Sequence, residues 1–175
     1  LLAAMTLART GHAAQANAVA DELRRDFPSH TMVQGYALPM LDAGMKLHAQ
    51  DHAGAVRALQ PASKYELSNW GPLPNLYAAY LRGLALLQLR DGAAAAIEFR
   101  KVLEHRGLVG RAGIGALARL QLARAQHLFG DQAAALKSYE AFMALWQDAD
   151  TDTPIYREAA AEYRRQQEIV RRASS

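Results

Sequence analysis

The chain has no cysteine in its 175 residues, which excludes disulfides, zinc–thiolate sites and thiol nucleophiles and favours a reducing compartment. It also lacks any apolar run near the ~20 residues of a membrane span, so insertion into a bilayer is not expected. No serine sits in a nucleophile elbow, and the signatures of a protein kinase are missing: no glycine-rich loop over ATP, no catalytic Asp in His-Arg-Asp context, no Asp-Phe-Gly. The chain therefore reads as non-catalytic, with no cofactor and no metal. A strong charge of one sign is absent too. Twenty Lys and Arg face 17 Asp and Glu, a net charge of +3, which fits solubility better than nucleic-acid affinity. Nothing resembles a signal peptide, and the chain opens without methionine on Leu1-Leu-Ala-Ala-Met5, already inside a helical pattern. The expectation is a fragment of a larger protein, cytoplasmic in location even if its parent is anchored to a membrane.

What is present is helical periodicity. The composition, 51% hydrophobic and 21% charged, suits one globular domain over residues 1–175. In residues 116–146 apolar side chains recur three and four apart through Leu117, Leu120, Leu122 and Ala123. Gly130-Asp131 interrupts the run, and the period resumes through Ala135, Leu136, Tyr139, Phe142 and Met143. Gly130 suits the left-handed end of one helix, and Asp131 the cap of the next. The stretch reads as a helical hairpin.

The hairpin repeats. Asp51, Asp91 and Asp131 stand 40 residues apart (91 − 51, 131 − 91). Eight residues before them are Ala43, Gly83 and Ala123, four after are Ala55, Ala95 and Ala135, and eight after are Leu59, Phe99 and Tyr139. A fainter copy comes first, with Gly11 as its break, Ala16 as its small residue and Phe27-Pro28 as its stop. The expected fold is all-α, with hairpins at about 1–28, 31–65, 75–106 and 114–147 and a capping helix at 153–172. Thr31 with Gln34 suits a capping box for the third helix. Pro39 should kink or split that helix, and Pro61 should cut the fourth one short. Thr153-Pro154 opens the last helix, whose apolar face should carry Tyr156, Ala159, Ala160, Tyr163 and Val170, as the terminal cap of a stacked array requires.

The small, small, large pattern around a turn resembles the tetratricopeptide repeat, whose period is about 34 residues; longer connections account for the difference. The segments Thr31-Met-Val-Gln34, Tyr36-Ala-Leu-Pro-Met40, Lys64-Tyr-Glu-Leu67, Tyr80-Leu-Arg-Gly83, Glu104-His-Arg-Gly-Leu-Val109 and Leu145-Trp-Gln-Asp-Ala-Asp150 are similar to a more particular group. They resemble the C-terminal tetratricopeptide region of bacterial eukaryotic-like serine/threonine protein kinases, especially acidobacterial ones. That resemblance implies a right-handed solenoid of about four hairpins plus a cap, acting as a scaffold, protein-interaction or sensory module of a signalling protein, with any kinase activity upstream. The alternative it leaves is a ligand- or peptide-sensing region of a winged-helix transcriptional regulator.

In such a solenoid the first helix of each hairpin lines the inner groove. By phase the partner-binding candidates are Met40, Leu47, Tyr77, Tyr80, Leu84, Gln88, Gln121, Arg124 and His127, with Leu41 and Leu120 beside them. Tyr80 and Arg124 lead, since large side chains with polar tips make binding hot spots. The expected partner is a protein or peptide. Gly110-Arg-Ala-Gly-Ile-Gly115 is glycine-rich, but no strand precedes it, and a connector is expected there instead of a phosphate cradle. His48 and His52 are four apart, but Asp51 starts a new helix between them, so no metal site is expected. Arg164, Arg165, Arg171 and Arg172 cluster on the last helix, but Glu158, Glu162 and Glu168 interleave them and argue against nucleic acid. Leu1, Leu2, Met5 and Leu7 surround the first helix so thoroughly that an exposed apolar edge, and self-association through it, are expected.

Overall fold

The computed structural model describes residues 1–68, 76–110, 113–146 and 152–173. Among them there is no strand and there are ten α-helices: α1 (Leu2–Arg9), α2 (Ala13–Asp26), α3 (Leu38–His48), α4 (His52–Ala58), α5 (Tyr77–Gln88), α6 (Gly92–Glu104), α7 (Arg106–Val109), α8 (Ile114–Leu128), α9 (Gln132–Leu145) and α10 (Pro154–Ala173). The fold is all-α, and no helix is long and apolar enough to cross a membrane.

Four turns share one hydrogen-bond scheme. Gly11, Gln50, Arg90 and Gly130 all have positive φ. The residue after each donates its N–H five residues back: His12 to Leu7, Asp51 to Lys46, Asp91 to Leu86 and Asp131 to Gln126, all at 2.9–3.0 Å. This is the Schellman closure, which satisfies carbonyls that a helix end would otherwise leave bare. The aspartates then start the next helix at once. Asp51 accepts from Gly54 N–H at 2.8 Å, and Asp91 and Asp131 accept from Ala94 and Ala134 N–H at 3.0 Å, each cap contributing about 1 kcal/mol. The aspartate register thus marks the hairpins as the sequence indicated. Two of the turns place a side chain in the left-handed region, where only glycine is free of strain, at a cost of about 1–2 kcal/mol each.

The small residues sit where helices approach most closely. Ala43, Ala55, Ala95, Ala123 and Ala135 have no exposed surface, and Leu59 and Phe99 fill the space beside them. At Gly83 a Cβ would stand 2.7 Å from the Phe99 ring, so the α5–α6 hairpin closes only because that position is bare. Each hairpin packs on its neighbours: α3 on α1 and α2, α5 on α3 and α4, α8 on α5 and α6, and α10 on α9. Three apolar cores result, one from α1 to α5, one from α5 to α8 and one from α8 to α10.

Several details differ from the sequence reading. His30, not Thr31, caps the third helical segment: its Nδ1 accepts from Val33 N–H at 3.4 Å, while the Gln34 amide turns back to the Phe27 carbonyl at 2.9 Å. A histidine ring can accept at a cap as a hydroxyl does, and Thr31 is already helical. Pro39 neither breaks the helix nor stands free of consequence. The backbone widens to a π-type turn over Val33–Ala37, with Leu38 N–H reaching Val33, and this absorbs the missing donor one residue later. Pro61 does end α4, and a 3₁₀ turn, Pro61–Tyr65, follows it. The short α7 falls between two expected hairpins. Met5 is 3% exposed and Leu2 55%; Met5 lies against Gly44 of α3, so the second hairpin covers part of the apolar edge. The expected starts and ends at Asn75 and Gln147, the Asp148–Asp150 part of the resemblance, and Arg111 and Ala112 of the glycine-rich connection lie outside the described residues.

A buried ion cluster joins the middle elements. The Arg82 guanidinium on α5 donates to Glu66 at 2.6 Å and to both oxygens of Glu98 at 2.9 and 2.7 Å. Lys101 adds contacts to Glu66 at 3.0 Å and Glu98 at 3.3 Å. Burial opposes the charge on Arg82, but the hydrogen bonds and charges of Glu98 and Glu66 outweigh it and hold its pKa above the ordinary value. Glu66 and Arg82 belong to two of the segments that carry the resemblance, and a third, Tyr36-Ala-Leu-Pro-Met40, adjoins them: the Tyr36 hydroxyl feels both charges, with burial as the main cause pushing it up to about 12.

Candidate functional site

The nine groove candidates separate into three groups. Met40 has no exposed surface and Tyr80 is 6% exposed, which corrects their assignment as contact residues. Met40 belongs to the first core. The Tyr80 ring stacks on Tyr77 at 6.2 Å and meets Phe99 edge-on at 5.9 Å, and burial pushes its hydroxyl up to about 12. Helical phase gives the direction in which a side chain points; the neighbouring helix decides whether water or protein waits there. Leu41 and Leu120 are buried likewise.

The second group lies at the ends of α1, α3 and α5. Leu47, Leu84 and Gln88 line a shallow cleft of about 330 Å³ with Arg9, Gln50 and His52. Tyr77, half-buried, stands near it with its hydroxyl accepting from Arg9 Nη1 at 3.2 Å.

The third group lies in a cleft of about 500 Å³ between α5, α8 and α10. Gln88, Gln121, Arg124 and His127 converge there, four of the candidates from helices far apart in sequence. Arg124 is committed to α10. It donates to Glu162 through Nε at 2.9 Å and Nη2 at 3.0 Å, stands 3.2 Å from Glu158, and shares Glu162 with the Tyr139 hydroxyl at 3.1 Å. Burial opposes its charge, and Glu162 and Glu158 hold its pKa above the ordinary value. His127 Nδ1 reaches the side-chain oxygens of Gln166 at 2.8 Å and Gln132 at 3.0 Å. With both amides so oriented Nδ1 carries the proton. Gln166 closes the link by donating to the Gln132 carbonyl at 2.9 Å.

Sequence reasoning passed over Arg90, Arg165, Glu162, Gln166 and Ile169 in this cleft. Arg90 is the left-handed turn residue. Glu162 and Gln166 lie four apart on α10 and follow Ala159, so their place on the packed face was available from the same helical phase. That face is mixed: its most buried members are Ala159 and Gln166, while Tyr156, Ala160, Tyr163 and Val170 are half-buried. Arg90 and Arg165 are exposed and form no ion pair among the described residues. The cleft therefore offers amide groups and two free cations above a partly apolar floor of Leu87, Leu128 and Ile169, a lining suited to hydrogen-bonding and holding a ligand.

His48 and His52 diverge. A Cβ on Gly11 would meet the His48 ring, whereas His52 lines the α1–α3–α5 cleft. Among the described residues no group of three or more His, Asp or Glu is placed to hold a metal ion. Comparison with protein-family models, curated proteins and solved structures returned no match.

Proposed function

We propose that the chain is a non-catalytic binding module of the tetratricopeptide type, a right-handed solenoid of four hairpins closed by α10, whose protein or peptide partner lies in the cleft between α5, α8 and α10. The observation that carries this reading is the convergence of Gln88, Gln121 and the free guanidinium groups of Arg90 and Arg165 on one open cleft. Side-chain amides can pair with the carbonyl and N–H groups of an extended chain. The repeated turn, with its small, small, large neighbours, supports the repeat type. The resemblance of Lys64-Tyr-Glu-Leu67 and Tyr80-Leu-Arg-Gly83 to kinase-associated regions supports a place C-terminal to a serine/threonine kinase domain in a bacterial signalling protein.

A displayed library of random peptides tests the cleft whatever the natural partner is. Selected peptides should lose binding to the Arg90→Glu, Arg165→Glu double variant, with the far-ultraviolet helical signal unchanged. Peptides that bind this variant as well as the parent, or a library that yields none, overturn the assignment.

A further inference from the structure

A third cleft, of about 280 Å³, opens where α6, α7 and the start of α8 meet the end of α9, and it shares no described lining residue with the other two. Its walls are apolar, formed by Leu103, Val109, Leu145 and Trp146, while Gly113 and Gly115 leave its edge bare. Among the described residues its charged lining consists of Arg106 and Arg119, with no acidic residue in that set. Arg119 is the informative one. Its Nε is buried without a hydrogen-bond partner, and it has no ion pair among the described residues. The contrast with Arg82 and Arg124, each held by two glutamates, is sharp. The Nε is covered and only the terminal Nη groups can face the cavity, and they too have no acceptor among the described residues, so the guanidinium lacks a partner of negative charge.

We propose that this cleft binds a small carboxylate carried on an aromatic or otherwise apolar body. The carboxylate accepts from the Arg119 guanidinium, with Arg106 adding positive charge at the rim, and the body packs against Trp146, Leu103 and Val109. A fork of parallel N–H groups matches the two oxygens of a carboxylate, and the cavity lies at the small end of the range for ligand sites, which fits a compact molecule better than a chain segment. Gly110, Gly113 and Gly115 thereby have a role at the rim of the cavity.

Phenylacetate is the probe, and its neutral analogue phenylacetamide the control for charge. The chain holds two tryptophans, so a Trp70→Phe background leaves Trp146 as the sole indole reporter. Phenylacetate should change its emission saturably, and phenylacetamide should bind at least about tenfold more weakly, as loss of a charge-assisted hydrogen bond requires. Arg119→Met should remove the same factor, and Arg119→Lys, which keeps the charge without the fork, should fall between; melting curves confirm that both variants fold. The Arg90→Glu, Arg165→Glu variant should bind phenylacetate normally, so failure here and failure of the peptide-binding reading are told apart. Equal binding of the amide, an unaffected Arg119→Met variant, or competition by inorganic phosphate at equal concentration overturns the proposal.

Discussion

Arg82 and Arg124 occupy the first helices of successive hairpins, and each grips two glutamates, yet the surroundings give the two clusters opposite roles. At Arg82 the side chains are enclosed: 6% exposed for the arginine, 2% for Glu66 and 14% for Glu98. At Arg124 the corresponding values are 24%, with 17% for Glu162 and 61% for Glu158. Removing one partner of an enclosed cluster leaves uncompensated charge away from water, whereas a half-exposed cluster exchanges its contacts for hydration at little cost. The first cluster locks the 3₁₀ turn and α6 onto α5. The second fastens α10 over a cleft and can let go. Similar chemistry gives a rivet in one place and a clasp in the other because the solvent differs.

The largest effect should come from Arg82→Met, which leaves Glu66 and Glu98 with Lys101 as their one cation among the described residues. We expect a loss of about 3–5 kcal/mol in urea unfolding; a variant as stable as the parent erases the distinction between the clusters. Each cluster also holds a phenol. Burial, and then the charge of Glu66, keep Tyr36 protonated up to about 12, and burial followed by Glu162 raises Tyr139 as well. Because the folded values lie above the unfolded one near 10, the stabilisation is complete below pH ~10 and is lost as pH climbs towards ~12. The loss for Tyr36 is about 2–3 kcal/mol, the equivalent of its two-unit displacement. Absorbance at 295 nm should show some of the seven tyrosines ionising late in the folded chain, and Tyr36→Phe should flatten the alkaline decline.

A smaller change is expected at the clasp. Arg124→Gln should cost about 1 kcal/mol and quicken amide hydrogen exchange in α10 while leaving α5 and α6 protected. Raised salt should quicken α10 exchange in the parent as well, since screening reaches the exposed cluster and not the enclosed one. Equal salt response in α6 and α10 contradicts the comparison. Smallest of all, and outside both clusters, Gln50→Gly should raise stability by up to ~1 kcal/mol, relief of left-handed strain being partly offset by the greater freedom of unfolded glycine. A thermal melt calibrates the other effects against it.

Much of the fold was legible because its signals are local. A capping aspartate and the small residues eight before and four after it lie within one hairpin, so the 40-residue spacing located α3 to α6, α8 and α9, but not α7. The non-glycine turns at Gln50 and Arg90 could have been read by aligning them with Gly130. The ion cluster was not legible, because Glu66 and Arg82 stand on different elements and nothing local couples them. Groove membership failed at Met40 and Tyr80 for a similar reason. Tyr80 and Gln88 sit on the same helix and the same side by phase, but Phe99 of α6 covers the first and no helix covers the second. The glutamates of α10 read as charge dilution along one helix, whereas Glu162 in fact answers an arginine on another.

The shared turn also bears on how such a chain can change over generations. At Gly11, Gln50, Arg90 and Gly130 the residue that completes one helix is followed directly by the residue that begins the next. At the three bends that carry a capping aspartate an inserted residue would leave both the carbonyl closure and the cap without their partners, so the bend is intolerant of length variation. Among the described residues the connections after α4 and after α6 carry no such double duty. Insertions and deletions should collect there, between the hairpins, so that lineages alter the spacing of the units while the bend inside each one keeps a fixed count.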